Sequence, residues 1–261
     1  MAVLTALGVG VLVGVVVGAL GAGGGILSVP ALIYLLGQEP HDAYAGSLVV
    51  VGLTAIVSLI APARAGRVHW RDGATFGLMS VLGALVGSRA SVAVDGTLLL
   101  TLFCVMLAVV GVVMLVRGLR SRKSPDDGGG SEKDSASARR GLLVVAAAAT
   151  FTGFLTGFFG VGGGFIVVPM LVLALGFPMK DASGTSLLVM IIASSAGLAA
   201  RVGTHSNVDW PVVLAFAAAS MVGGILGGPL TKRASASTLT TAFGLLLLGV
   251  CAVTAYDLLR A

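Results

Sequence analysis

Gly21-Ala22-Gly23-Gly24-Gly25-Ile26-Leu27-Ser28-Val29-Pro30 recurs 139 residues later as Gly160-Val161-Gly162-Gly163-Gly164-Phe165-Ile166-Val167-Val168-Pro169. Both copies interrupt a long apolar run with glycines and close on a proline. Successive glycines destabilise a helix interior by roughly 1 kcal/mol each relative to alanine. The proline lacks an N–H and is well tolerated only in a helix's first turn. The spacing therefore predicts irregular backbone at each glycine stretch, with a fresh helix starting near Leu27–Pro30 and near Ile166–Pro169. Amide groups at such a helix start point outward at the positive end of its dipole, which suits an anion.

The surrounding composition sets the solvent. Of 261 residues, 57% are hydrophobic and only 10% charged, with a mean hydropathy of +1.06. A soluble domain carries about 25% charged residues. Several apolar runs approach the roughly 20 residues that span a bilayer as a helix. Their unbroken character excludes a transmembrane β-barrel, whose strands alternate apolar and polar positions. The expected fold class is an all-α, multi-pass integral membrane protein of the cell (cytoplasmic) membrane, with the lipid bilayer as its first partner.

The duplication extends well past the glycines. Gly37 matches Gly176, Asp42-Ala43 matches Asp181-Ala182, and Ser47-Leu48 matches Ser186-Leu187. One inserted residue later, Val68, Trp70, Gly83, Gly87 and Phe103 match Val208, Trp210, Gly223, Gly227 and Phe243. Two homologous repeats follow, residues 1–117 and 141–261, each a glycine-broken hydrophobic segment plus three transmembrane helices, about eight membrane segments in all. Residues 118–140 join them. This stretch includes Ser124-Pro125-Asp126-Asp127-Gly128-Gly129-Gly130-Ser131 and has the composition of a flexible charged linker. The apolar run from Met1 lacks a basic n-region, and its glycine-rich continuation recurs internally, so it is read as part of the working protein.

Seven of the sixteen Lys and Arg residues lie between Arg117 and Arg140. That clustering marks a cytoplasmic loop and removes the reason to read the net charge of +5 as a nucleic-acid footprint. Arg64, Arg67 and Arg71 belong on the same side. If each broken segment crosses once, the repeats are parallel; if it dips in and returns, they are inverted. The inverted arrangement puts Lys180, Lys232 and Arg233 inside and leaves Arg89, Arg201 and Arg260 outside, which positive-inside counting favours by one residue.

Small residues four apart let membrane helices approach closely, so Gly10/Gly14/Gly18, Gly83/Gly87, Gly153/Gly157 and Gly223/Gly227 are read as packing sites. Trp70 and Trp210 suit membrane interfaces. Asp42, Asp181 and Asp209 suit helix N-caps. Cys104 and Cys251 stand alone in apolar runs, as packing residues, neither metal ligands nor a disulfide framework.

Irregular backbone at membrane depth survives only where protein or a water-filled cavity surrounds it. Two such stretches at corresponding positions of two halves point to a transporter's substrate site. The candidate substrate-binding residues are Gly23, Gly24, Gly25, Gly162, Gly163 and Gly164, with the hydroxyls of Ser47, Thr185 and Ser186 beside them. Thr54, Ser58, Ser194 and Ser195 extend the same hydroxyl-rich segments. Ile26 and Phe165 stand where a dinucleotide fingerprint needs its third glycine, and the preceding run is helical, so that motif is excluded. No carboxylate pair or His cluster lies in the spans, so no enzyme, metal or cofactor is expected. A homo-oligomer is compatible with the composition, which does not decide it.

The paired GAGGG and GVGGG stretches, Pro30 and Pro169, and the Asp-Ala and Ser-Leu pairs resemble the sulfite exporter TauE/SafE family over nearly the whole chain except the linker. That resemblance implies a permease for small sulfur-containing anions such as sulfite, sulfoacetate or related organosulfonates. A channel is the alternative reading.

Overall fold

A computed structural model describes residues 2–21, 27–28, 31–32, 40–92, 94, 96–123, 142–159, 164–200 and 209–260. Among them are nine α-helices and no strand. These are α1 (Ala2–Leu20), α2 (Pro40–Arg64), α3 (Trp70–Val92), α4 (Gly96–Lys123), α5 (Leu142–Phe159), α6 (Gly164–Leu173), α7 (Met179–Ala200), α8 (Trp210–Arg233) and α9 (Ala236–Arg260). Five of them, α2, α4, α7, α8 and α9, are long and apolar enough to cross a membrane, and α1 and α5 hold shorter apolar stretches. The linker lies outside the described residues.

Local chemistry sets the helix ends. Pro40 opens α2, where its missing N–H costs no helical bond. Ser235 caps α9 through a 3.1 Å bond from the Thr238 N–H. Asp209 caps α8 with a longer contact, 3.4 Å from the Val212 N–H. Asp42 and Asp181 are each the third residue of their helix, and in α7 it is the Pro178 carbonyl that meets the helix start, accepting from the Asp181 and Ala182 N–H groups at 3.0 and 2.9 Å. An acidic residue in the first turn still favours the dipole.

Glycine positions dictate which helices meet. A Cβ on Gly14 would run into the Ser220 carbonyl, and one on Gly18 into Gly224; Gly223 and Gly227 meet Val11 and Val15 in return. α1 and α8 therefore run parallel in backbone-to-backbone contact, tied by the Ser220 hydroxyl donating to the Gly10 carbonyl at 3.0 Å. Gly83 and Gly87 meet Thr150 and Phe154, while Gly153 and Gly157 meet Ser80 and Ala84, so α3 and α5 form a second parallel pair. The first segment of each half thus docks on the third segment of the other half.

Equivalent helices meet in the opposite sense. Along α2, Leu48, Gly52 and Pro62 face Gly197, Ser194 and Gly184 of α7. Along α4, Gly111 and Gly118 face Leu248 and Thr241 of α9. Both pairs are antiparallel. Since α2 also runs parallel to α8 (Gly46 on Val213, Ala61 on Gly228), the chain leaves α1 at the end bearing Arg64 and Arg67 and enters α2 at the other end.

Two apolar cores result. One gathers α1, α2, α7 and α8 around Val13, Val50, Ala55, Met190 and Phe216. The other gathers α4, α5, α6 and α9 with Phe76 of α3 and Ala182 and Val189 of α7, and in it Phe165 is edge-on to Phe103 at 5.7 Å and Phe159 lies 5.4 Å from Phe103. Large apolar side chains such as Leu12, Leu78, Val109 and Ile225 face outward. On this scale that surface suits lipid and not water. Trp70 and Trp210 are half-exposed at opposite ends of the bundle.

The two cysteines are neighbours. The Cys251 thiol donates to the Cys104 carbonyl at 3.3 Å across the α4/α9 seam, and both thiols are free.

Candidate functional site

Of the nine candidate residues, Gly23, Gly24, Gly25, Gly162 and Gly163 lie outside the described residues. Gly164, Ser47, Thr185 and Ser186 lie within them. Gly21, immediately ahead of the first glycine run, shows how the chain leaves α1. Its N–H bonds the Val17 carbonyl at 2.8 Å and its φ is +63°, a left-handed conformation that glycine adopts without strain. The Ser183 carbonyl occupies the space a Cβ would need. The Ser186 hydroxyl, fully buried, lies 2.9 Å from the Gly21 carbonyl and 2.8 Å from that of Ser183, its proton shared between them. A serine of the second half thereby fixes the entry to the glycine run of the first.

Thr185 is also fully buried but serves a different contact: its hydroxyl accepts the His69 N–H at 3.2 Å. Ser47 is buried on α2. Gly164 is the first residue of α6, so the new helix begins at the last glycine and not near Ile166–Pro169. Pro169 is the sixth residue of α6, outside the first turn. There it offers no N–H to the Phe165 carbonyl one turn back. The dense packing of Phe165, Ile166 and Val168 is what holds a helix together over that gap. In the first copy, Leu27 and Ser28 are helical and Ala31 and Leu32 form a π-helical turn; Pro30 lies outside the described residues.

Five buried hydroxyls, those of Ser28, Thr54, Ser58, Ser194 and Thr241, find no partner among the described residues. A buried hydroxyl left unpaired costs about 1–3 kcal/mol, so such groups mark places for water or a polar solute. Ser28 sits inside the opening motif, yet its repeat equivalent is Val167, so matching the halves passes over it. Ser183 is missed for the same reason, since its counterpart is Tyr44.

At the Arg64/Arg67 end, a clasp links the halves. His69 Nε2 lies 3.6 Å from Asp181 Oδ2, and Nδ1 3.8 Å from Asp72 Oδ2. The imidazole leans on Phe177 with ring centroids 4.7 Å apart. Both carboxylates are partly exposed, so each contact contributes only about 0–1 kcal/mol. Nothing local in the sequence announces it. Among the described residues, no group of three or more His, Cys, Asp or Glu side chains is placed to hold a metal ion.

A family model described as sulfite exporter TauE/SafE matches residues 6–254. A probable membrane transporter protein of Xylella fastidiosa (strain Temecula1) is 37% identical over 252 residues, covering 95% of this chain and 92% of that protein. The probable membrane transporter protein YunE of Bacillus subtilis is 26% identical over 252 residues, covering 92% of each. No solved structure matches the chain.

Proposed function

Because the chain belongs to the sulfite exporter TauE/SafE family of membrane transporters, we propose that it is a secondary transporter for a small sulfur oxyanion, sulfite or an organosulfonate. It moves that anion across the cytoplasmic membrane by alternating access. The observation that carries this reading is the grip of Ser183 and Ser186 on Gly21, which ties the hydroxyl-bearing helix of one half to the glycine run of the other. In this account the bare amides of Gly23–Gly25 and Gly162–Gly164 hold the anion. Ser47, Thr185 and Ser186 shape the surrounding wall. Helix N-termini supply positive potential without a buried arginine.

Alternating access in this architecture rests on inverted repeats, 1–117 and 141–261, tethered by 118–140 and crossing as about eight segments. Antiparallel contact between equivalent helices supports this arrangement, because a twofold axis in the membrane plane relates elements of opposite direction. It requires Lys232 to be cytoplasmic. In a Cys104→Ala, Cys251→Ala background, Lys232→Cys is expected to react with an impermeant thiol reagent only in inside-out vesicles. Labelling confined to intact cells would defeat the inverted arrangement.

The transport reading is tested with purified protein and a panel of sulfite, sulfoacetate, thiosulfate and simple carboxylates. Ligand at one hundred times its Kd stabilises the folded state by about 2.7 kcal/mol, roughly 5 °C or more in Tm for a chain of this size. Sulfur oxyanions are expected to produce that shift and carboxylates to produce little. Equal, negligible shifts across the panel would count against an anion site.

A further inference from the structure

We propose that a small cavity at the Arg64/Arg67 end is an oxyanion-docking site through which the transported anion reaches the glycine runs. The inference rests on the anion reading above. The cavity, about 20 Å³, is bounded by Gly18 of α1, Ala61 of α2, Arg67 of the following loop, Lys180 and Ser183 of α7 and Gly228 of α8. Arg67 comes from one half of the chain and Lys180 from the other. Both carry a positive charge and neither is fully buried, so the rim of the recess is cationic. Among the described residues, neither forms an ion pair with a carboxylate; Asp72 and Asp181 both face His69. An anion arriving from outside the protein suits that cationic rim.

Hydroxyls continue along α2 from the recess. Ala61, Ser58 and Thr54 share one face of α2 at helical spacing, and Ser47 lies seven residues further on the same face. Opposite them stand the small residues of α8: Ala61 faces Gly228, and the Ser58 hydroxyl fills the space a Cβ on Gly224 would take. Ser58 is 3% and Thr54 0% exposed, and neither hydroxyl has a partner among the described residues. Unpaired hydroxyls therefore begin at Ser58, one turn along α2 from Ala61, and continue to Thr54. In this conformation the cavity holds about one water. It is the closed mouth of the route, opened when α2 separates from the glycine face of α8.

The same cations would also attract a lipid phosphate, and the test separates the two sources. Sulfite binding is measured calorimetrically with the full chain in phosphatidylcholine nanodiscs. Arg67→Gln and Lys180→Gln are each expected to weaken binding about tenfold, with Tm unchanged, while Arg67→Lys stays near the native affinity. Adding phosphatidylglycerol is expected to leave native sulfite affinity unaltered. Competition by phosphatidylglycerol that vanishes in Arg67→Gln/Lys180→Gln would keep the oxyanion site but overturn the solute as its occupant. Native binding with no loss in either Gln variant would overturn this inference and leave the transport reading standing. No sulfite binding by the native protein would overturn both.

Discussion

Sulfite flux through Gly24→Val or Gly163→Val is expected to fall to the background of empty vesicles, while both variants remain monodisperse and inserted. Valine puts a branched Cβ where the proposed site needs bare backbone, and it narrows the φ/ψ choices of a stretch that must break a helix. Losing two or three charge-assisted amide bonds to the anion removes on the order of 3 kcal/mol, about a hundredfold in occupancy. The chain geometry nearby makes the expectation specific. Gly21 already holds a left-handed φ and Ser186 anchors its carbonyl, so the exit from α1 is fixed at that residue, directly ahead of the glycine run. Thermal unfolding of each variant separates a lost site from a lost fold. Native flux in either one would remove the glycine runs from the mechanism.

Gly14→Ala and Gly153→Ala are expected to destabilise the folded protein, whereas Gly8→Ala and Gly249→Ala leave it unchanged or improve it. Helix propensity alone says that all four substitutions gain about 1 kcal/mol. The neighbours reverse the sign at two of them. A Cβ on Gly14 collides with the Ser220 carbonyl and one on Gly153 with the Ser80 carbonyl, both rigid backbone, while Gly8 and Gly249 have nothing within 4 Å. A clash with rigid backbone falls in the upper part of the overpacking range, about 2–3 kcal/mol or more, so after the propensity gain the net loss is roughly 1–2 kcal/mol or beyond. Thermal midpoints of the four variants in one detergent decide the matter. A stabilised Gly14→Ala would mean that α1 and α8 do not meet as described.

The glycine steps illustrate how far the chain could be read without coordinates. Their spacing announces close helix contacts, and each set does make one. The partners were not legible. Gly14 and Gly18 meet Gly223 and Gly227 of the other half while Gly10 meets Phe216 and Ser220, and no local pattern encodes that choice. Ser186 was legible through its repeat equivalent Ser47, and its contact with Gly21 came from the fold. Ser183, Arg67 and Lys180 escaped because one has no matching residue and the others look like ordinary interfacial charges. The His69–Asp181 clasp joins residues from different halves of the chain. Pro169 misled in a different way: intrinsic preference puts proline in a first turn, and buried packing around Phe165 and Val168 overrides it.

Composition by itself determined that this chain is a multi-pass membrane protein, and repetition set the expectation of two like halves with a helix break at each glycine run, because hydrophobicity and backbone freedom are properties of residues and their near neighbours. Tertiary structure alone decided which helix faces which, in what direction, and which charges share a recess. In a membrane, lipid-facing and protein-facing side chains are equally apolar. The choice between them passes to shape, to the fit of a glycine on one helix against a carbonyl on another, and that fit exists only once the helices have met.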